Sequence, residues 1–359
     1  MSFTRRNFLQ SGVAAVGAAA IGGTEAACST ISSPVKRVSG KFLNAYYFRA
    51  HMYTMVPRQV REDLAFMADL GTDAVTIALL EQDLFAAVEN VQIIASEAEK
   101  LGMELHVVPS RWGGLLAGAP KVPSIFTAGN PQTWVIKENG KHKGSKWTGS
   151  ISSFHHPETV AFFEETLSKT LTDLPVKGIV WDEPKLYTTV DHSEAAMKAL
   201  NGSTKLEDHQ AAFSNFFSHL NGFIKKNHPE VMTSLFVYAN LPDEVVKTVA
   251  KVRDLDYLGC DGRPWRNEDG GDQEQANKVL LGAGERFLSA ARNNGMGAFW
   301  LVENHNMSAE NNSLMDQRLP EIIDKMPEQL VYYYYPRNVD KPDENMKIIS
   351  KHIKKYKAG

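Results

Sequence analysis

Eight short apolar runs alternate with eight long segments of helical periodicity along most of this chain. The apolar runs are rich in β-branched and aromatic residues and span residues 42–49, 74–80, 104–109, 178–181, 233–238, 257–260, 298–302 and 330–335. The helical segments span residues 57–70, 84–101, 157–174, 206–227, 243–252, 273–293, 314–326 and 343–356. Continuous apolar runs are typical of parallel strands that are buried on both faces. The alternation therefore predicts an α/β fold, a single (β/α)8 TIM barrel over residues 41–359.

The segment after the first predicted strand argues against an open sheet. An open nucleotide-binding sheet has a glycine-rich phosphate loop at this position, whereas here Arg49 is followed by His-Met-Tyr-Thr over residues 51–54. The first helix begins at Pro57 and is followed by Gly71, which are residues typical of a helix start and a helix stop. We therefore expect the sheet to close into a barrel.

The amino terminus resembles a twin-arginine export signal. Arg5 and Arg6 precede Phe8 and Leu9, and a weakly apolar run rich in Ala and Gly follows over residues 12–23. This run is shorter than the ~20 residues that a membrane-spanning helix needs. The resemblance implies that residues 1–27 form a signal peptide and that the protein is exported.

Two forms of processing fit the residues that follow the apolar run. A small-residue site permits cleavage after Ala26, whereas the sequence that ends at Cys28 resembles a lipoprotein box, with Glu25 where an apolar residue is usual. We therefore expect either a periplasmic protein or a lipoprotein that a lipidated Cys28 attaches to the membrane. Residues 28–40 have the composition of a linker, and Cys260 is the only other cysteine, so the sequence has no disulfide framework.

The overall charge excludes one class of partner. The formal net charge is −3, and the only basic group of note is the set of lysines near the carboxyl terminus, which fits the solvated end of a terminal helix. A nucleic-acid partner is therefore not expected.

The connection after the third predicted strand is long and aromatic. It runs from Ser110 to about His156 and contains Trp112, Trp134 and Trp147. Loops of this length in compact domains are usually binding walls or lids. The flat indole rings suit the apolar faces of sugar rings, but they would equally suit a small satellite core, and the sequence leaves both interpretations open.

Polar and charged side chains follow most of the predicted strands. Active sites of (β/α)8 barrels lie at the carboxyl ends of the strands, so these side chains are the candidates for a functional site. The candidates for substrate binding are Arg49, His51, Arg111, Trp112, Asp182, Asn240, Asp261, Arg263, Trp265, His305, Tyr335 and Arg337. Four of these are arginines, whose planar guanidinium suits carboxylates, so the sequence also suggests an anionic glycan as substrate.

Two strand ends carry a more specific pattern. The fourth strand ends in Asp182-Glu183, and the seventh ends in Glu303. This arrangement resembles the clan A retaining glycoside hydrolases, which are (β/α)8 barrels with an acid/base glutamate after strand four and a nucleophile glutamate after strand seven. The resemblance implies that Glu183 is the acid/base, that Glu303 is the nucleophile and that the substrate is an oligo- or polysaccharide. Asp182 stands where the family usually has an asparagine that binds a sugar hydroxyl.

The chemistry of retention explains why two carboxyl groups are needed. They must lie about 5 Å apart across the scissile bond, one protonated and the other ionised. We expect the charge of Asp182 to raise the pKa of Glu183, and Arg111 or His305 to hold Glu303 ionised. This mechanism requires no cofactor and no metal ion.

Two other functions remain open from the sequence. A metal-dependent sugar isomerase or epimerase could recruit Glu183, Asp261, Glu303 and His305 as ligands for a divalent ion. Alternatively, the protein could be an exported barrel that binds carbohydrate without turning it over.

Overall fold

The computed structural model describes residues 41–49, 51–118, 120–266 and 272–358. The chain divides into one unit over Met1–Lys36 and a second over Arg37–Gly359, and all the described residues belong to the second. The predicted signal peptide, the lipidation site at Cys28 and the linker over residues 28–40 lie outside the described residues.

The predicted barrel is confirmed. The barrel strands are β1 (Phe42–Tyr46), β2 (Ala74–Leu79), β3 (Glu104–Pro109), β4 (Val176–Asp182), β5 (Met232–Tyr238), β6 (Tyr257–Gly262), β7 (Gly297–Val302) and β8 (Gln329–Tyr333). Each strand pairs in parallel with the next, and β1 pairs with β8 from Phe42 opposite Gln329 to Tyr46 opposite Tyr333, which closes the barrel. All eight carboxyl ends therefore meet at one face of the barrel, where the candidate residues lie.

Strand ends differ from the predicted ones in ways that matter for the site. β1 and β8 end at Tyr46 and Tyr333, shorter than predicted, because the ladder between them ends at that pair. β4 and β6 are longer than predicted, because Asp182 pairs with Phe236 and Asp261 pairs with Leu301. Two of the candidate acids are therefore held by strand hydrogen bonds rather than by loops.

The helices surround the barrel. The helices of eight residues or more are Pro57–Asp69, Val88–Lys100, Pro157–Asp173, Leu206–Asn227, Ala283–Asn293, Ala309–Ile323 and Pro342–Ala358. Shorter helices are Glu81–Ala86, Ile125–Gly129, Glu194–Ala199, Asp243–Val249 and Gln273–Ala276. None of the helices in the described part of the chain combines the length and the apolar character that crossing a bilayer requires.

Three predicted helices differ most from those in the structure. The segment over residues 84–101 is two helices, because the backbone of Ala87 leaves the helical region with a φ of −150°. The segment over 273–293 is interrupted by a π-helical stretch, Asn277–Gly282. The helix predicted over 314–326 begins earlier, at Ala309, because the Ser308 hydroxyl accepts a hydrogen bond from the Asn311 amide and caps it.

Two apolar layers position the site. The larger layer lies between the strands and the helices. The smaller one is a cluster of Tyr46, Val108, Val180, Phe236, Tyr257, Phe299, Leu301 and Val331. Phe236 and Phe299 stack within it with ring centroids 5.3 Å apart. Phe236 and Tyr46 belong to this layer and also line the cavity described next, so the packed barrel interior forms the floor of that cavity.

Candidate active site

A cavity of about 1120 Å³ lies at the carboxyl ends of the strands. Ten of the predicted site residues line it, namely Arg49, His51, Arg111, Asp182, Glu183, Asp261, Glu303, His305, Tyr335 and Arg337. Barrel closure therefore brings together side chains that are up to 288 positions apart in the chain, counted from Arg49 to Arg337. Cavities of this size accommodate ligands larger than a single small molecule.

Four carboxyl groups form the charged part of the cavity floor. Asp182 is the last residue of β4 and Glu183 follows it, Asp261 lies in β6, and Glu303 follows β7. Asp182 and Asp261 are each only 5% exposed. The charges of Glu183 and Glu303 raise the pKa of both Asp182 and Asp261, so the four groups form one electrostatic cluster.

Burial and crowding keep protons on two of these acids. Burial, and then the neighbouring charge of Glu183, raise the pKa of Asp182 to about 8. Burial also raises the pKa of Asp261 well above its usual range, with further contributions from Glu303 and Glu183. At neutral pH the cluster therefore holds protonated carboxyls beside ionised ones, because close carboxylates cannot all ionise together.

Glu183 behaves differently from the sequence-based expectation. Burial tends to raise its pKa, but a hydrogen bond with Asp261 and the ammonium of Lys185 outweigh burial, so the pKa of Glu183 is lowered. The expectation that Asp182 would keep Glu183 protonated is therefore wrong in this arrangement. The proton lies on Asp261, which shares it with Glu183 through their hydrogen bond.

Lys185 and Tyr238 were not among the predicted site residues. The Lys185 ammonium lies 2.5 Å from Oε2 of Glu183 and donates to the Tyr238 hydroxyl at 3.0 Å. Tyr238 is the last residue of β5, between the strands that carry Glu183 and Asp261. Two features of the sequence could have indicated these residues. Tyr238 lies at the end of a strand, and Lys185 follows Glu183 by two positions.

The backbone at Glu183 is held in an unusual conformation. Its φ is 40°, in the left-handed region that residues with a Cβ seldom adopt. Its amide donates to the carbonyl of Phe236 at 3.1 Å, so the pairing of β4 with β5 continues through the strained residue. Such strain persists only where the surroundings impose it, and it is typical of functional sites.

A buried arginine, Arg263, holds the backbone at Glu303 by a hydrogen bond. Nη1 of Arg263 donates to the carbonyl of Glu303 at 3.0 Å and to that of His305 at 2.5 Å. Nε2 of His305 lies 3.5 Å from the Glu303 carboxylate. Arg263 was predicted to bind substrate, but it is 2% exposed and does not line the cavity, so it acts on the shape of the loop after β7.

Three further residues that were predicted to bind substrate do not line the cavity. Trp112 is fully buried, and its indole N–H donates to the carbonyl of Leu79 at 2.9 Å. Trp265 is likewise fully buried in the layer between strands and helices. Asn240 is exposed outside the cavity lining. All three follow strands, as predicted, but Trp112 and Trp265 are buried in the core and Asn240 is exposed outside the cavity lining.

The long loop after β3 forms a packed wall. Phe126 stacks on Phe162 with centroids 4.3 Å apart, and the Trp134 indole donates to the carbonyl of Thr127 at 2.8 Å. Trp147 is 65% exposed. The satellite-core interpretation therefore holds for most of these aromatic rings, and Trp147 is the exception.

Glu81 bonds the long loop to the barrel at Ser124 and Phe126. This buried carboxylate accepts hydrogen bonds from the Ser124 hydroxyl at 2.6 Å and from the Phe126 amide at 2.7 Å. Glu81 is also the first residue of the helix Glu81–Ala86, but the side chain that caps this helix is that of Asp83, which accepts from the Leu80 amide at 2.8 Å. The loop is thus bonded to the barrel through a buried carboxyl group, whose pKa is raised by burial.

Aromatic residues from β1 and β8 complete the floor. Tyr46 packs against Phe48 at 4.9 Å and edge-on to Tyr333 at 5.2 Å. The Tyr46 hydroxyl is buried without a hydrogen-bond partner among the described residues, as is Nδ1 of His305. Buried polar atoms are normally satisfied, so these two are available to a ligand or a bound water. The run Tyr46-Tyr47-Phe48 was the sequence signal for this surface.

The described residues contain no group of three or more His, Cys, Asp or Glu side chains arranged to hold a metal ion. Cys260 is fully buried, and burial raises the pKa of its thiol well above the usual range.

Comparison with known proteins bears on the fold. No protein-family model and no curated protein matches the sequence. Among solved structures, the chain is similar to the catalytic domain of β-amylase from Paenibacillus polymyxa (TM-score 0.61, 10% identity, 88% of this chain and 98% of that one). It is also similar to a β-galactosidase from the psychrophilic Marinomonas ef1 (TM-score 0.58, 11% identity, 87% of this chain and 59% of that one). A third is the endo-β-1,4-mannanase from Thermotoga petrophila (TM-score 0.54, 11% identity, 89% and 77%). At these identities the likeness shows a shared (β/α)8 barrel fold.

Proposed function

We propose that this protein is a glycoside hydrolase that cleaves a glycosidic bond with retention. The observation that carries the proposal is the buried acid cluster, in which a protonated carboxyl is hydrogen-bonded to an ionised one inside a large cavity. Glycosidic cleavage needs one carboxyl that gives a proton and another that stays ionised.

The four acids divide into two roles. Glu183 is the acid/base, and it acts together with Asp261 because the two share one proton. In the first step that proton passes to the glycosidic oxygen, the bond from this oxygen to the anomeric carbon breaks, and a carboxylate oxygen of Glu303 bonds to the anomeric carbon. In the second step Glu183 takes a proton from water, whose oxygen displaces Glu303.

The surrounding residues assist these steps. Lys185 compensates the negative charge of Glu183 when Glu183 is deprotonated. His305 lies beside the nucleophile Glu303. Asp182, with its pKa raised to about 8, is protonated at neutral pH and can donate to a sugar hydroxyl. The names of the solved structures with this fold, β-amylase, β-galactosidase and endo-β-1,4-mannanase, lend further support to a carbohydrate substrate.

A glycan-panel activity screen tests the proposal. The wild-type protein and its Glu183→Gln, Asp261→Asn and Glu303→Gln variants are compared by reducing-end release, with Glu62→Gln as a control in an exposed ion pair. We expect the three cavity variants to lose at least about a hundredfold in kcat/KM, because each removes a proton-transfer or nucleophilic group, and the control to match the wild type. The anomer released first, followed by NMR, tests retention.

Two outcomes contradict the proposal. Equal activity of the wild type and the three cavity variants would show that the acid cluster is not the site. Binding of glycans without turnover, and without loss in Glu183→Gln, would instead favour a non-catalytic carbohydrate-binding barrel, a role that the close Glu183–Lys185 pair would also fit.

We further propose that the protein is exported, either to the periplasm or to a membrane through Cys28. The support is the order of Arg5, Arg6 and the apolar run in the sequence. Fractionation of cells that express the wild type, an Arg5→Lys/Arg6→Lys variant and a Cys28→Ser variant tests this. Export should fail in the first variant, and release from the membrane should occur in the second if Cys28 is lipidated. Unchanged export of the paired-lysine variant would refute the twin-arginine route.

A further inference from the structure

The cavity carries charge of both signs, in different places. Its floor holds the acid cluster, whereas five cationic side chains also line it, namely Arg49, Arg111, Lys121, Lys185 and Arg337. Two of the five have a carboxylate partner, since Arg49 pairs with Asp63 at 2.9 Å and Lys185 pairs with Glu183 at 2.5 Å. For Arg111, Lys121 and Arg337, no ion pair forms with any residue that the structure describes.

Arg111 is fixed in place by neutral contacts. Its Nε donates to the carbonyl of Pro120 at 3.2 Å, and its Nη2 donates to that of Gly118 at 2.7 Å. The backbone at Arg111 has a φ of 62°, and the next residue, Trp112, is anchored in the core. The backbone is thus strained where this guanidinium lies at the cavity wall, and no carboxylate of the described residues forms an ion pair with it.

Arg337 lines the same cavity from the far side of the β1–β8 pair that closes the barrel. It follows β8, whereas Arg111 follows β3, and β1 and β2 lie between them. Tyr335 donates its hydroxyl to Asp343 at 2.8 Å, and Pro336 stiffens the backbone just before Arg337. Burial lowers the pKa of Arg111, the charges of Asp182 and Glu183 partly offset this, and the positive charge of Arg337 lowers the pKa in smaller part. The two guanidinium groups are therefore close enough to repel each other.

We propose that Arg111 and Arg337 together bind an anionic group of the substrate, a carboxylate or a sulfate ester, and that the substrate class is therefore an acidic oligosaccharide. This inference rests on the proposed glycosidase function. A guanidinium presents paired N–H donors that match the oxygens of a carboxylate or sulfate, and an anion between two repelling cations relieves their repulsion. The acidic floor would oppose an anion at the scissile bond, so the charged group belongs at the arginines and the bond at the carboxyls.

Direct binding tests the inference without requiring turnover. Calorimetry with the Glu303→Gln variant compares the trisaccharides of galacturonate and mannuronate with their methyl esters, and a sulfated disaccharide with its desulfated form. We expect at least one acidic member to bind on the order of ten- to a hundredfold more tightly than its neutral partner, the range for a charged hydrogen-bonded contact. Which pair shows the preference distinguishes carboxylate from sulfate.

The arginines are tested by substitution on the same background. Arg111→Gln and Arg337→Gln should each remove most of the preference while leaving affinity for the neutral partner within about twofold. Arg292→Gln is the matched control, since Arg292 pairs with Glu328 just before β8, at the opposite end of the barrel. Its preference should equal that of the parent.

The outcomes separate the two proposals. Equal binding of acidic and neutral members, no binding of any member, or a preference that survives both arginine substitutions would overturn the inference, whatever the hydrolysis screen finds. A preference for an acidic glycan that the wild type never cleaves would support the anion site and contradict the proposed hydrolase function. Cleavage of neutral glycans with no preference for anionic ones would support the hydrolase function and contradict the anion site.

Discussion

At the scale of single residues, the protonation of Asp182 is the sharpest feature of the cavity. Burial and the charge of Glu183 raise its pKa to about 8, so the folded protein holds a proton there that the unfolded chain releases near pH 4. A raised pKa in the folded state stabilises the protein below the unfolded pKa, and this contribution is lost as the pH rises toward 8. Ionising Asp182 therefore works against folding.

Asp182→Asn should remove this pH dependence. Relative to the wild type, the variant should gain stability between pH 5 and pH 8, with a slope of at most about 1.4 kcal/mol per pH unit, because the amide has no proton to lose. Urea unfolding at the two pH values measures the difference. Asp69→Asn, at an exposed position on a helix, removes the same charge and should leave the slope unchanged. The prediction would be contradicted if the free energies of unfolding of Asp182→Asn and the wild type differed by the same amount at both pH values.

At the scale of elements, the approach of a helix to a strand is set by single glycines. Gly284 lies in the helix Ala283–Asn293, and a Cβ there would lie 2.1 Å from the Trp300 ring of β7. The Trp300 indole is itself buried and donates to the carbonyl of Gly262 at 3.2 Å, so it has no room to move. The helix and the strand therefore require a glycine at this contact.

Gly284→Ala should destabilise the protein by about 1–3 kcal/mol, the cost of overpacking a buried contact, despite the better helix propensity of alanine. Gly282→Ala is the control two residues away, because Gly282 is exposed, helical in φ and ψ, and has no atom within 4 Å of an added Cβ. It should be neutral or stabilising by up to about 1 kcal/mol. Thermal unfolding of both variants measures the contrast, and a stabilised Gly284→Ala would show that the helix can shift outward.

Element type was predictable from the sequence, and interruptions within elements were not. Periodicity correctly indicated a strand over 104–109 and a helix over 206–227, because burial of one face fixes the spacing of apolar residues. The break at Ala87 and the π-helical stretch Asn277–Gly282 leave the apolar spacing nearly intact, so periodicity does not reveal them. The extension of β6 through Asp261 depends on pairing with β7, which is a tertiary effect.

At the scale of the whole molecule, barrel closure brings the candidate site together. The direction of each side chain then decides whether that residue lines the cavity. Strand order placed Glu183, Asp261 and Glu303 at one cavity because all strand ends share one face. The same reasoning could not separate Arg263 and Trp265, which point behind the site, from Asp261, which points into it. Direction beyond a strand end depends on loop geometry, which a local sequence pattern does not specify.

The distribution of charge over the molecule leads to a prediction about salt. The net charge of −3 repels an acidic glycan at long range, so its capture depends on Arg111 and Arg337 at short range. Raising the NaCl concentration from about 0.1 to about 1 M shortens the screening length from ~10 to ~3 Å. Affinity for the preferred acidic glycan should therefore fall several-fold, and affinity for its neutral partner should change little. Calorimetry at both salt concentrations measures this, and equal losses for the two would count against an ionic contact.

The fastening of the long loop by Glu81 has a consequence for the rate of substrate capture. Ser124 and Phe126 are bonded to buried Glu81, and other residues of the same loop, Lys121 and Thr148, line the cavity, so this loop is held in place before any ligand arrives. Little conformational freedom remains there to be lost on association. If the proposed glycosidase function holds, a glycan should thus enter and leave this side of the cavity without opening of the loop, and its dissociation rate should depend on the strength of its contacts.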